Sequence, residues 1–535
     1  MAQTLISVVL EVQPQNAEQL RGLITQLRKD QSATVPAYAG MQAIRSLHFL
    51  AMTVFADDQY DPILVLEANF DPPAGPFWAD LETAIGPQLR DMLRLCKRPR
   101  GRTGEMFDVV TGPGSKSPIA PLLESLTVAG IVRHQGNRGV SRERIEREAQ
   151  LFLDVRKELK KPARFEGLSA AEVHAALRGP ILQRHTWLAS DPAPPISGWE
   201  NFVDWARLIA VALAIVLILH APGMLLASIL PTRWALAVIL IAAAAAGFAL
   251  YAMRGGPPTK PRSERAKPIR RWNLLQIVPI LLIALAAALV FELGFSLLIT
   301  TVSRWLVGSG DAGANFAMTV VGLFGAFPTL GLLLMGLRHI EEQEPSQDAP
   351  PVDSQKLRDI VALEDRLGQN HMASLVHIKP GVMRAILARI AVHGLAIHLG
   401  AQSAARNGFL GAIRSIHFAQ LTFVSNGGRL MFLTNFDGSW ESYLSDFIDR
   451  VHGAVTWVWT STVGFPSTRF MVLDGASQDR QFKAWKRHAM APSLFWFSAY
   501  RALSVEQIKR NARIAEGLRQ AVLKPKEAVQ WSMDL

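Results

Sequence analysis

The chain is poor in cysteine and tyrosine, and it lacks the common nucleotide and metal signatures. Cys96 is the single cysteine among 535 residues. That excludes an internal disulfide framework and suits a reducing compartment. Beside "CKRPRGR" it reads as an inert thiol rather than a nucleophile. No P-loop, G-x-G-x-x-G, Cys/His metal spacing or Ser-His-Asp set can be read from the letters. The opening "MAQTLISVVLEV" has no basic n-region and no small-residue cleavage site, which argues against a secretory signal. Charged residues are scarce at 19%, against 49% hydrophobic, an unusual balance for a soluble chain of this size.

The apolar excess is concentrated. Four stretches, 208–230, 234–253, 273–302 and 316–337, each reach the roughly 20 residues that cross a bilayer as a helix. Pro222 is expected to kink the first. Between the second and third lies "RGGPPTKPRSERAKPIRR" (254–271), with seven basic residues against one acid. Such a short basic loop belongs in the cytoplasm. Four spans around it place both termini there as well, in a multi-pass protein of an inner (plasma) membrane. The loop carries much of the formal charge of +11. The basic excess is therefore a topology and lipid-contact signal, and nucleic acid is not expected as a partner.

Flanking this segment, the chain repeats itself. "AIRSLHF" at 43–49 returns as "AIRSIHF" at 412–418. "LVLEANFD" ending at Asp71 returns as "MFLTNFD" ending at Asp437. "NRGVSRERIEREAQL" (137–151) matches "YRALSVEQIKRNARI" (500–514) at Arg138/Arg501, Ser141/Ser504, Ile145/Ile508 and Arg147/Arg510. Each copy reads strand–helix–strand–strand–helix–strand. In the first the strands are 5–12, 44–55, 62–70 and 127–134, with helices at 16–30 and 77–95. In the second the strands are 373–379, 413–424, 429–436 and 494–499, with helices to about 398 and over 440–459. An additional strand and helix precede each last strand, and a polar helix closes each copy.

The expected class is α+β, with two ferredoxin-like βαββαβ repeats flanking a helical transmembrane segment. The boundaries are repeat one at 1–165, a linker at 166–205, the membrane domain at 206–339, a linker at 340–360 and repeat two at 361–535. Strict alternation puts Ile44, Ser46, His48, Leu50, Met52 and Val54 on one face of the second strand, and Arg45, Leu47, Phe49, Ala51, Thr53 and Phe55 on the other. Both faces are apolar, so two sheets pressed face to face, an intramolecular pseudo-dimer, are expected.

Ten residues stand out as candidates. His48 and His417 sit in the echo, either as interface histidines or as ligands of a cofactor or substrate between the sheets. Arg45 and Arg414, if buried, need a carboxylate such as Asp71 or Asp437. Asn69, Asp71, Asn435 and Asp437 end the third strands, where such residues favour caps. His220 and Glu292 fall inside apolar stretches, where an ionisable group is a functional hypothesis.

The strings "IHFAQLTF", "RLMFLTNFDGSWESYLSDFID", "GFPSTRFMVLDG", "FKAWKRH" and "FWFSAYRALSVEQIKRNARIAEGL" resemble a family of largely uncharacterised bacterial membrane proteins. The match covers about 140 residues of the second copy. The first copy has "DPPAGPFW" where the second has "DGSW". The βαββαβ plan is also similar to the dimeric α+β barrel superfamily, which includes dye-decolorising peroxidases and chlorite dismutases. That resemblance implies a haem held against a sheet. The peroxidases' G-x-x-D-G is absent, and "MVLDG" (471–475) has Met where its first Gly stands. Three readings follow: a membrane protein with a paired binding or interaction module, for which a protein partner is conceivable; a haem-dependent oxidoreductase; and a transporter with soluble regulatory domains.

Overall fold

The computed structural model describes residues 3–29, 36–57, 59–161, 164–192, 198–253, 274–308, 310–343, 351–364, 368–405 and 413–535. For 29, 36–38, 253, 274–289, 307 and 402–405 it describes the backbone alone. The basic loop 254–271 lies outside the described residues, as do parts of both expected linkers. The chain forms two compact units. One joins Met1–Trp205, Gln347–Pro466 and Asp479–Leu535; the other joins Ala206–Ser346 and Ser467–Gln478.

The first unit is a mixed α/β body with two antiparallel five-stranded sheets. Its strands are β1 (Thr4–Glu11), β2 (Leu47–Phe55), β3 (Ile63–Phe70), β4 (Thr127–Ala129), β5 (Val132–Gln135), β6 (Gln369–His377), β7 (Ile416–Val424) and β8 (Arg429–Asp437). Two-residue β9 (Thr468–Arg469) and β10 (Leu473–Asp474) form a hairpin of the second unit. Then come β11 (Met490–Ala491) and β12 (Ser493–Ser498). The first sheet runs β12-β2-β3-β1-β4 and the second β11-β6-β8-β7-β5.

The expected last strand 127–134 is in fact two, and a short strand, β11, precedes the expected 494–499. β4 pairs with β1, whereas β5 leaves the first sheet and pairs with β7. β11 pairs with β6, whereas β12 pairs with β2. The two halves thus exchange edge strands reciprocally. The breaks are chemical. Gly130 interrupts the first segment, where an added Cβ would meet the Gln420 Cβ at 3.0 Å. Pro492 interrupts the second, because proline has no N–H for a ladder. The additional strand before the last one is reduced to single bridges, Val12 to Cys96 and Ile378 to Thr462.

Alternation along β3 is regular. Leu64, Leu66, Ala68 and Phe70 pack under the helices Ala17–Lys29 and Ala74–Arg94 with Leu20, Ile24, Trp78 and Leu81. Ile63 and Val65 face the other way and pack against Ala373, Met431 and Leu433 of the second sheet. β2 departs from the expected alternation. Its register slips between Leu47 and Phe49, and β7 slips at the same place, between Ile416 and Phe418. The bulge keeps Leu47, Leu50, Met52 and Val54 in the helix-covered core. His48 is turned away from them to join Phe49 beside Phe418.

The expected linker 166–205 carries helices Ala170–Arg184 and Trp187–Ser190. They share a core with Arg142–Leu159, Val505–Arg519 and Pro525–Ser532, built on Leu151, Leu177, Ile181, Ile514, Leu518 and Trp531. Gly517 must be glycine there, since a Cβ would stand 2.2 Å from Trp531.

The second unit is helical: Gly198–Ile229 (entering from residue 206), Thr232–Met253, Leu274–Val307 and Ala312–Glu342. Four described helices are long and apolar enough to cross a membrane: Gly198–Ile229, Thr232–Ala252, Ala312–Glu342 and Val382–Ala401. Three match expected spans. The fourth belongs to the α/β unit, where it packs on β5 and on the helix Trp440–Trp459. The expected third span corresponds instead to the 34-residue helix Leu274–Val307. Gly223 and Gly325 let two helices touch backbone to backbone, since a Cβ on Gly325 would lie 2.6 Å from the Gly223 Cα. Large side chains such as Ile218, Ile241, Phe248 and Leu332 point outward, more than half exposed. A bilayer, not water, suits such a surface.

Candidate functional site

The two bulges place a matched pair of polar sites where the sheets meet. His48 is fully buried, with Nε2 3.0 Å from Asp71 Oδ1. Asp71 Oδ2 accepts the backbone N–H of Arg142 at 2.8 Å, in the first turn of the helix capped by Ser141. His417 Nε2 lies 2.8 Å from Asp437 Oδ1, and Asp437 Oδ2 accepts the N–H of Val505 at 2.7 Å, beside the cap Ser504. A carboxylate at a helix N-terminus meets orphan amides and the positive end of the dipole. The sequence echoes His48/His417, Asp71/Asp437 and Ser141/Ser504 are therefore one construction built twice. Gln3 and Gln369 complete it. Gln3 donates to the carbonyls of Asn137 and Val140, and Gln369 to those of Tyr500 and Leu503.

The arginines do not take the expected partners. Arg45 is exposed, and Arg414, 68% exposed, meets Glu506 at 3.4 Å. Both aspartates belong to histidines. The buried cation here is Arg142, which donates to the carbonyls of Ile44, Leu47 and Gln42 and pairs with Glu146. Asn69 and Asn435 do not cap helices; both donate to Glu67, at 2.9 and 3.2 Å.

The two histidine sites differ at the second ring nitrogen. His48 Nδ1 lies 2.8 Å from the Tyr500 hydroxyl. Burial raises the Tyr500 hydroxyl well above its ordinary value, so it stays protonated and donates. His417 Nδ1 is buried without a hydrogen-bond partner among the described residues. In the matched position to Tyr500 the first half has Asn137, which is too short to do the same. His48 offers a haem iron no open nitrogen, and His417 offers only Nδ1. His48 has both nitrogens engaged, and His417 has its Nε2 held by Asp437. Phe418 and Tyr500 cover the first ring, and Phe49 and Tyr500 the second.

A third polar set escaped the sequence reading. Glu67, 1% exposed, accepts from Asn69 and Asn435 on Oε1. Its Oε2 lies 2.7 Å from His371 Nε2, and His371 Nδ1 lies 2.6 Å from Ser493 Oγ. Trp496 Nε1 donates to Asn435 at 2.9 Å. His371 and Ser493 open onto a cavity of about 420 Å³ that is also walled by Trp496, Arg28, Arg501 and Leu363. The matched strand positions in the other half hold Leu433 for Glu67 and Leu5 for His371. The fold therefore does not need these polar groups. That contrast, Glu67 in "LVLEANFD" against Leu433 in "MFLTNFD", was the available signal.

Two further features complete the survey. In the helical unit, the expected candidates His220 and Glu292 meet, with Nε2 to Oε1 at 3.1 Å and both side chains buried. His220 Nδ1 lies 2.8 Å from the Val216 carbonyl and must donate to it. The contact with Glu292 therefore needs one more proton, shared between imidazole and carboxyl. Beneath the second sheet lies an apolar cavity of about 270 Å³ reached by Lys486. This buried ammonium donates to Ser374 Oγ at 2.8 Å and sits among the rings of Phe432, Trp459 and Trp485. Burial pushes it down to about 7. Burial likewise pushes the Cys96 thiol up to about 12, in keeping with an inert cysteine.

The chain matches no family model, no curated protein and no solved structure.

Proposed function

We propose that the chain is an integral membrane protein whose α/β unit is a ligand-binding module. In this reading the unit is an intramolecular pseudo-dimer of two ferredoxin-like repeats. The strand orders β2-β3-β1-β4 and β7-β8-β6-β11 support it, as does the reciprocal exchange of β5 and β12. Three helices of the second unit with membrane-crossing length and composition, beside the 34-residue helix Leu274–Val307, support the anchoring. The basic segment 254–271 supports cytoplasmic termini. Reporter fusions at residues 1, 262 and 535 should then read inside, and one at 308 outside; an outside reading at either terminus overturns the topology.

One observation carries the binding role. The pair Glu67–His371 replaces Leu433 and Leu5 of the matched half, and it does so beside a cavity of about 420 Å³. Buried polar groups cost stability relative to well-packed apolar ones. His371 at the cavity wall, with Glu67 buried behind it, is the arrangement of a small-molecule site. The test is ligand-observed NMR of the detergent-solubilised chain with a panel of small esters and carboxylates. Binding should be lost in Leu363→Trp, which fills the cavity. Absence of binding in the wild type, or binding that Leu363→Trp leaves intact, refutes the site.

The oxidoreductase alternative gains no support from His48, whose two nitrogens are both engaged, and it would have to rest on His417 Nδ1 alone.

A further inference from the structure

We propose that Ser493 is an activated nucleophile and that the cavity it faces binds and cleaves a small carboxylic ester, an inference that rests on reading this cavity as a ligand site. The directions of the hydrogen bonds carry it. The Glu67 Oε1 accepts two amide N–H groups, and Oε2 as a carboxylate oxygen accepts the His371 Nε2–H at 2.7 Å. The neutral imidazole then has its lone pair on Nδ1. The Ser493 O–H donates to that lone pair at 2.6 Å. Nucleophile, base and orienting carboxylate stand in the relation that activates a serine, here with Nδ1 rather than Nε2 toward the hydroxyl.

The fold accounts for the meeting. His371 comes from β6 of the second sheet and Glu67 from β3 of the first. Ser493 stands just past Pro492, where the chain leaves the second sheet for the first. The register slips again after Ser493, so its side chain is not committed to either sheet's core. It is half-buried and lines the cavity, as a nucleophile must. Arg28 and Arg501 also line the cavity, against one acid, Glu364, which pairs with Arg487, and give it positive charge of the kind that stabilises an oxyanion.

In the reaction, Ser493 Oγ bonds to the ester carbonyl carbon as its proton passes to His371 Nδ1. The tetrahedral adduct collapses, the ester C–O bond breaks, and the imidazolium returns the proton to the departing alcohol. Water then attacks the acylated Ser493, giving a proton to Nδ1. The carboxylic acid leaves and Ser493 regains its proton. The sum is ester plus water to acid plus alcohol.

The test treats the full chain in detergent micelles with a fluorophosphonate probe, followed by peptide mass spectrometry. We expect one adduct, on Ser493, absent from Ser493→Ala. Its rate should fall about 10²-fold or more in His371→Gln. Because changes at His371 can disturb the core, Ser493→Cys gives a second reading: iodoacetamide should alkylate this cysteine faster at pH 7 than a free thiol. Folded wild-type protein that stays unlabelled at Ser493, or labels equally fast in His371→Gln, overturns the nucleophile. If such protein still binds small esters by NMR, the ligand site stands and only the chemistry fails; if it binds none, both readings fall together.

Discussion

The two halves of the α/β unit agree where the architecture needs them to and differ where it does not. Both carry a bulge at the second strand, a buried His on an Asp, that Asp on a helix N-terminus, a serine cap and a glutamine on two carbonyls. Those shared parts solve one problem twice. They hold a helix end against a sheet and satisfy the buried groups that the bulge creates. The differences have no such explanation. Leu5 and Leu433 fill with hydrocarbon what His371 and Glu67 fill with a hydrogen-bonded pair. Tyr500 completes His48, while Asn137 leaves His417 with an unpartnered nitrogen. Two halves with matched positions supply an internal control, and function is to be sought in the asymmetry.

The largest effect should come from breaking the added pair on one side only. Glu67→Leu leaves His371, Asn69 and Asn435 buried without their acceptor, which costs about 3–5 kcal/mol. The double change Glu67→Leu with His371→Leu copies the other half, and should recover most of that loss. Thermal unfolding of the four proteins of the cycle measures it. A double variant no more stable than Glu67→Leu alone would mean that the halves are not interchangeable at this position.

Tyr500→Phe should make the histidine sites alike, leaving His48 Nδ1 as bare as His417 Nδ1. We expect a loss of about 1–3 kcal/mol. His417 should show no comparable sensitivity to Asn137→Ala, and a loss of the same size there would undo the contrast.

The Lys486 amine gives a pH signature confined to the second half. Folded, it releases its proton near 7; unfolded, near 10.5. Between those values the unfolded chain binds more protons, so stability rises with pH across the window and the penalty is complete below it. Lys486→Met should flatten the slope between pH 7 and 10, read from unfolding midpoints. An unchanged slope would show that the lysine does not cause it.

The smallest effects are expected at Arg45→Ala and Arg414→Ala. Both side chains are exposed, and changes there should stay within about 0.5 kcal/mol.

Strand periodicity and the echoes located nearly every element of both sheets, because alternation and β-branched runs are local signals. What escaped is non-local. A bulge is one residue in a ladder, and nothing in "AIRSLHF" says that His48 will turn away from Leu50. The splitting of 127–134 into β4 and β5 depends on which sheet each piece finds, although Gly130 and Pro492 marked the places. The arginines misled because a conspicuous charge in an apolar echo suggested burial; the strands begin at Leu47 and Ile416, beyond both of them. His48, His417, Asp71 and Asp437 were legible as candidates, and so were His220 and Glu292. Ser493 and the partners that give it a chemical role, His371 and Glu67, come from three strands, and only the folded chain assembles them.

The reciprocal exchange of β5 and β12 has a consequence for biosynthesis. The first sheet takes its edge from residues 493–498, near the far end of the chain. Roughly 440 residues separate β2 from that partner, and a ribosome adding about 5–20 residues per second needs on the order of half a minute or more to deliver it. For all that time the nascent first half presents an open strand edge, with the helical unit emerging in between. Such an edge is a template for wrong pairing. That edge closes only once residues 493–498 have been made and have reached β2.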